Sequence, residues 1–551
     1  MRIRGVVIAG VFAAATLPAP SALAQATDAL TGQVSSGQES AMEGVVVSAK
    51  KAGSIVTVSV VSDHDGRYHF PAARLEPGSY AVTIRAIGYD LDGKATAEVE
   101  AGKAATADLK LKPTRNLPAQ LSNAEWLASM PGTDGQKKAL LNCIGCHDLD
   151  RIVRSTHDAD EFMQLFNRMA GYYPGSTPEN PQRLIGTAQR NIGQGPGLRA
   201  MAEYLASANL SNDDTWTYPL NTFKRPTGRA THVIVTEYDL PRKIIQPHDV
   251  VLDADGKVWF SHFAEQFLGS FDPKTLKVAE YPLPVLKEGY PIGTLDLEAD
   301  KSGKLWLSMM YQGGVARFDP KTEKFETWAV PKDWQTDATQ QAFVTPVSSD
   351  VDGKVWVKNS DRAQIFRLDP ATGKWETFGS FKDPTSGKTI TSYGIPADHD
   401  NNLYLLDFAS SDVGRLDAKT GELSIFRGAI GNSRPRRGRF DSENRLWYAE
   451  YGGNAIGMLD PKSGKVQEWT LPLPWEQPYD AVLDKDGEAW TGSMLSDRVS
   501  RLDPKTGDFV EYLLPRRTNI RRVFVDNTTN PVTFWTSNNH ESAIIKLEPQ
   551  N

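Results

Sequence analysis

The stretch LLNCIGCHDLD, residues 140–150, holds the only two cysteines of the chain, Cys143 and Cys146, with His147 directly behind them. These residue types at this spacing suit three chemistries: a disulfide redox pair, half of a zinc site, or covalent haem with the histidine on its iron. A bridge across so small a loop would add little stability. Zinc needs two further ligands at matching spacing, and only His157 lies nearby. A thioredoxin-like pair belongs at a strand-to-helix turn of a βαβ unit, a pattern absent here. Covalent haem needs what is present: two thiols one helical turn apart for the vinyl groups and a histidine for the iron.

The elements around the motif read as helices over residues 121–211. SNAEWLASM opens on Ser122 as an N-cap, DADEFMQLFNRMAGYY sets Phe162, Leu165, Phe166 and Met169 on one stripe, and GPGLRAMAEYLASANLS is amphipathic. So short a helical unit has too little apolar surface for a core of its own, and a haem ring would supply it. This segment resembles a mono-haem cytochrome c domain. The resemblance implies one covalent haem c on Cys143 and Cys146, with His147 as axial ligand. Candidates for the sixth position are Met169, His157, Met163 and Met201; Met169, beside the loop AGYYPGS, is the expected ligand. Methionine there would raise the potential relative to histidine. An open position would let the haem itself bind substrate or oxygen.

The chain begins MRIRGVVIAGVFAAATLPAPSALAQ, two arginines ahead of an apolar run and a small-residue exit, which predicts a signal peptide over residues 1–24. Export to the periplasm follows, where haem attachment belongs, and no apolar run is long enough to span a membrane. At 551 residues, 40% hydrophobic and 23% charged, the chain should form several globular domains. Its net charge of −7 argues against nucleic acid as a partner.

Residues 30–113 alternate in the manner of short antiparallel strands, punctuated by Asp65-Gly66 and Pro77-Gly78, which predicts a small β-sandwich. The order Gly44-Val45, DGRYHF from Asp65, PGSY from Pro77 and Gly88-Tyr89 resembles the carboxypeptidase regulatory-like domain, which implies a spacer or docking module. His64 and His69 read as solvated surface residues.

Residues 227–551 repeat. Trp259, Trp306, Trp356, Tyr404, Trp447, Trp490 and Trp535 each end a phrase like DADGKVWF, and thirteen residues later stand Asp272, Asp319, Asp369, Asp417, Asp460, Asp503 and Glu548. Seven matched pairs predict a seven-bladed β-propeller, with the early strand THVIVTEYDL completing the last blade. The expected architecture is therefore multidomain: a small β-sandwich, an all-α cytochrome c domain, then the propeller. Phrases such as NRLWYAEYGGNAIGMLDPKSGKVQEWTLPLP resemble the virginiamycin B lyase (streptogramin lyase) family. That resemblance implies the fold; activity is a separate question, because many functions share this scaffold.

Function on a propeller sits at the mouth of its channel, so the blades were aligned on their tryptophans. Eleven residues before each stand His248, Leu295, Thr345, Tyr393, Arg436 and Tyr479, with Arg521 in the seventh blade, whose turn is three residues longer. From these rings, His248, Asp249, His262, Tyr479 and Asp480 are expected to form a general acid/base cluster. Arg436, Arg437, Arg521 and Arg522 are expected to bind an anionic substrate or the haem propionates. The family pattern implies a metal-bound glutamate three residues after a blade tryptophan and a histidine two further on. Here Glu450 is followed by Gly452 and His540 is preceded by Asn538, so the pair is split and elimination with Mg²⁺ is not expected.

The expectation is thus an exported oxidoreductase passing electrons from a small organic substrate, through one haem, to a periplasmic carrier or redox partner. Its alternatives are a streptogramin-type lyase and a non-catalytic electron-transfer subunit. No glycine-rich dinucleotide motif follows a strand.

Overall fold

The computed structural model describes residues 28–550 apart from 178, 187–195, 210–217, 346–352, 360–363 and 380. The expected signal peptide lies outside the described residues. No described helix is long and apolar enough to cross a membrane.

The valine-rich alternation near the N-terminus builds a sandwich. One sheet is centred on Asp28–Ser36 and Leu109–Pro113; the other runs Val56–Val61, Val46–Lys51, Gly78–Arg85, Ala95–Val99. Leu30, Val34, Val47, Tyr68, Phe70, Tyr80, Val82 and Leu111 face one another between them and are almost fully buried, the inward half of each period-two pattern. Gly66 turns at φ +71°, and a Cβ there would stand 2.8 Å from the Val34 carbonyl oxygen, so the Asp-Gly turn needs glycine.

The sandwich does not stop at its own edge. Strand Val233–Asp239 pairs with the C-terminal strand Ala543–Pro549 on one side and with Val56–Val61 on the other. The last blade and the second sandwich sheet are therefore one eight-stranded sheet. This removes the free edge of both.

Each blade is a four-stranded antiparallel meander, except the fourth, which has three strands. Its inner segment holds Pro396, which has no N–H to give a ladder, and only isolated bridges remain there. The phrase before each tryptophan has a local cause. Asp253 accepts at one oxygen from the N–H groups of Asp255 and Lys257 and at the other from Trp259 Nε1 at 2.8 Å. Asp300, Asp441 and Asp484 hold Trp306, Trp447 and Trp490 in the same way. One carboxylate thus staples the hairpin turn to the tryptophan that packs between blades.

Strand pairing corrects the alignment of the third blade. Val251 and Val482 lie opposite Trp259 and Trp490 at a separation of eight, whereas Thr345 lies opposite Trp356 at eleven, as Phe524 does opposite Trp535. The third blade therefore has the same three-residue insertion as the seventh. Its channel positions are Ala342 and Phe343, three residues before Thr345 and Pro346.

Between sandwich and propeller the described residues form five α-helices: α1 (Asn123–Ser129), α2 (Asp134–Ala139), α3 (Asp150–Val153), α4 (Ala159–Ala170) and α5 (Pro196–Ala208). Ser122 with Glu125, Thr133 with Gln136 and Asp158 with Glu161 form capping boxes at the starts of α1, α2 and α4. Three of the five helices have seven residues or fewer, so the expected all-α domain is present only as a helical segment. It closes no core alone: the cluster of Trp126, Leu127, Leu140, Ile144, Phe162 and Leu205 continues into Tyr451, Tyr479, Met494 and Leu495 of the propeller.

Candidate functional site

The helical segment covers one end of the propeller. Asn519 Nδ2 donates to the carbonyl of Ile144 at 3.2 Å, and Arg521 Nη2 donates to that of Gly145 at 2.8 Å. Tyr173, in the connection after α4, donates its hydroxyl to the Phe263 carbonyl at 2.8 Å, and Gln182 donates to Ala264 and Ile292. The carbonyls of both residues between the two cysteines are thus held by blade seven at the channel mouth.

Cys143 and Cys146 stand as thiols. The N–H groups of Cys146 and His147 both donate to the Cys143 carbonyl, at 3.1 and 3.3 Å, which makes the motif one helical turn. His147 Nδ1 lies 3.0 Å from the Asp148 carbonyl oxygen; this pairing puts the proton on Nδ1 and leaves Nε2 with its lone pair. Burial lowers the imidazole pKa, which favours the same neutral form. Cys143, Ile152, Met163, Leu165, Phe166 and Met201 are only partly buried against the helical core. Two thiols, an oriented imidazole and an incompletely covered apolar face fit a haem. Met169 is 42% exposed at the end of α4, whereas Met163 and Met201 are partly buried against the helical core. His157 is turned toward Glu161 and Phe162.

Beneath the turn, side chains from blades one, four, five and six form a directed chain. His248 Nδ1 donates to Asp249 at 2.8 Å, so Nε2 accepts from the Tyr479 hydroxyl at 3.2 Å. Tyr479 in turn accepts from Tyr393 at 2.7 Å, and Tyr393 accepts from Arg436 Nη2 at 3.2 Å. Burial pushes His248 down to about 4 and keeps it neutral, able to receive a proton. Burial also raises the Tyr393 phenol, but the Arg436 charge and the bond with Tyr479 outweigh it and hold Tyr393 below the usual tyrosine range. Tyr393 stands at a channel position outside the expected cluster, and only the fold brings its hydroxyl onto Tyr479.

Two expected members stand apart. His262 Nδ1 accepts from the N–H groups of Ala264 and Glu265, and its Nε2 faces Glu265 at 2.9 Å. Asp480 is taken by Arg439 at 2.9 Å and by the N–H groups of Ala481 and Val523.

The four arginines divide in the same way. Arg437 makes a bidentate pair with Asp249 and also bonds Asp296; Arg522 reaches Asp249, Asp296, Glu298 and the Leu297 carbonyl. These two are internal counter-charges, already engaged by carboxylates of the protein. Arg436 and Arg521 have no carboxylate partner among the described residues. Arg436 lies against the rings of Tyr479, Tyr451, Tyr393 and Phe408 at 4.1, 4.4, 4.5 and 5.3 Å.

Glu450 is fully buried near Glu468, and burial with that neighbouring charge pushes it up to about 9. His540 faces Asp148 at 3.5 Å, against the cysteine-bearing segment. Among the described residues no cluster of three His, Cys, Asp or Glu side chains could hold a metal ion.

Residues 379–551 match the virginiamycin B lyase family, and residues 29–112 match the carboxypeptidase regulatory-like domain. A streptogramin B lyase structure is 19% identical, with a TM-score of 0.50, over 58% of this chain and 99% of its own. Selenomethionine-substituted virginiamycin B lyase from Staphylococcus aureus is 20% identical, with a TM-score of 0.49, over 57% of this chain and 99% of its own. No curated protein matches the chain. The third region is thus a propeller of the streptogramin B lyase fold, and the first is a carboxypeptidase regulatory-like domain.

Proposed function

We propose that this chain is an exported c-type cytochrome in which one haem, held by Cys143, Cys146 and His147, takes electrons from a small organic substrate seated in the propeller channel. The observation that carries the reading is the turn Cys143–His147, bonded through Ile144 and Gly145 directly over the chain Arg436, Tyr393, Tyr479, His248, Asp249. Haem bound there supplies one-electron acceptance next to a site that can take a proton.

The protein's own residues do the rest. Tyr393, held toward its anionic form by Arg436, is the group that removes a proton from a substrate hydroxyl. The proton moves through Tyr479 to Nε2 of His248, and Asp249 stabilises the imidazolium. Arg437 and Arg522 keep Asp249 ionised for that purpose. The helical segment packs over the channel through Ile144, Gly145 and Tyr173. Met169, His157, Met163 or Met201 would supply a further ligand to the haem, and a soluble periplasmic carrier would take the electrons onward.

The test is direct. The secreted protein is denatured and assayed for covalent haem; loss in Cys143→Ala with Cys146→Ala is expected, and its absence from the native chain overturns the reading.

A second reading is favoured by the comparisons, which match the lyase family and its fold and bear on no haem segment. In it the same base starts an elimination without electron transfer. The split pair Glu450/Gly452 and Asn538/His540 weighs against it, as does the engagement of His540 with Asp148. Anaerobic addition of substrate separates the two: reduction of the haem band supports the first, product without reduction the second.

A further inference from the structure

Arg436 and Arg521 are 8% and 5% exposed, yet each leaves its Nε–H without a hydrogen-bond acceptor. The nearby acids are already engaged: Asp249 and Asp296 by Arg437 and Arg522, Asp480 by Arg439. The remaining partners of the two arginines include no carboxylate: the Tyr393 oxygen, Met494 sulfur, the Gly145 carbonyl and aromatic faces. A third basic group, Lys358, is buried against Phe343 and Tyr393, with its nitrogen 5.6 and 5.8 Å from their centroids and no ion pair among the described residues; burial pushes its pKa down to about 7. Buried charges that lack counter-charges are expensive, and proteins keep them where a ligand supplies the missing partner.

We propose that Arg436 and Arg521 together hold the carboxylate of a planar organic acid in the channel beneath the Cys143–His147 turn. Guanidinium groups match carboxylate geometry, and the orphaned Nε–H atoms are the donors such a group would take. The rings of Tyr393, Phe408, Tyr451 and Tyr479 enclose Arg436 and suit a flat apolar body over a phosphate or sulfate. Burial and the Arg436 charge both lower the Arg521 pKa, and a bound anion would relieve that repulsion. The inference rests on the channel being the substrate site. It does not depend on the haem: the carboxylate can belong to a soluble acid or to a prosthetic group seated there.

The test uses the full secreted chain, with native cysteines and as Cys143→Ser with Cys146→Ser, titrated with benzoate and followed by thermal denaturation against chloride at equal ionic strength. A saturable rise in Tm is expected. It should vanish in Arg436→Gln with Arg521→Gln, whose own Tm without ligand stays level or rises because two unmatched charges are gone. Arg436→Lys keeps the charge and the fold and should weaken benzoate about tenfold through loss of the fork geometry. Binding to both cysteine forms assigns the carboxylate to a soluble acid; binding only to the serine form assigns it to the prosthetic group. The proposal is overturned if benzoate shifts neither form beyond chloride, or if the glutamine and lysine variants respond like the native chain. Covalent haem is assayed separately, so failure here leaves that claim standing.

Discussion

Arg521 donates to the carbonyl of Gly145 at 2.8 Å across 376 residues of sequence. Gly145 lies between the two cysteines, and Arg521 opens the inner strand of the seventh blade, so this bond joins the motif richest in chemistry to the channel that the repeat encloses. With Asn519 on Ile144, it makes the propeller part of the motif's setting.

The chain of hydroxyls predicts one early tyrosine. Tyr393 should ionise ahead of the other tyrosines in an alkaline ultraviolet titration, because Arg436 and Tyr479 stabilise its phenolate. The early step should disappear in Tyr393→Phe and move upward in Tyr479→Phe. That second variant also strands the Nε2 of buried His248, which should destabilise the protein by about 1–3 kcal/mol.

His248 predicts an acid-side slope. Its folded pKa of about 4 lies below the unfolded value of 6.5, so the unfolded state binds the proton first as pH falls. The contribution to stability is whole above about 6.5 and is lost between there and about 4, roughly 3 kcal/mol in all. His248→Gln should flatten that part of the stability curve in denaturant titrations. An unchanged slope would mean that His248 is solvated or charged in the native state.

Asp249 predicts the opposite of a surface ion pair. It carries Arg437, Arg522 and His248 at once, fully buried. Asp249→Asn should cost about 3–5 kcal/mol, since it strands buried positive charge. High salt should not imitate the effect, because a buried network is little screened.

The shared sheet predicts coupled unfolding of sandwich and propeller. Ser59 lies opposite Val235 in the ladder that joins them. Ser59→Pro removes an interior N–H, and calorimetry should then resolve two transitions where the native chain has one. Two transitions in the native chain would refute the coupling.

Local chemistry was legible where it repeats or is self-contained. The blade count follows from the tryptophans and the aspartates thirteen residues beyond them, because each pair marks one strand hairpin, and in the first blade Asp253 ties the preceding turn to Trp259 within six residues. The helical turn of Cys143–His147 and the N-cap of Ser122 are likewise local. In the third blade the three added residues lie between the paired strands, where they leave no mark on the hydrophobic pattern, and only the pairing of Thr345 with Trp356 reveals the shift.

What the chain alone determined was therefore the parts: a regulatory-like sandwich, a thiol and imidazole motif, and a seven-fold repeat. Tertiary structure decided their relations. Arg436 and Arg437 are neighbours of one type and look interchangeable in sequence. In the fold they point to opposite sides of a strand, one to Asp249 and Asp296 from other blades and one to an aromatic cage without a carboxylate. Ring closure brings those blades together, and a contact made by closure between residues tens to hundreds of positions apart leaves no periodic trace in the sequence.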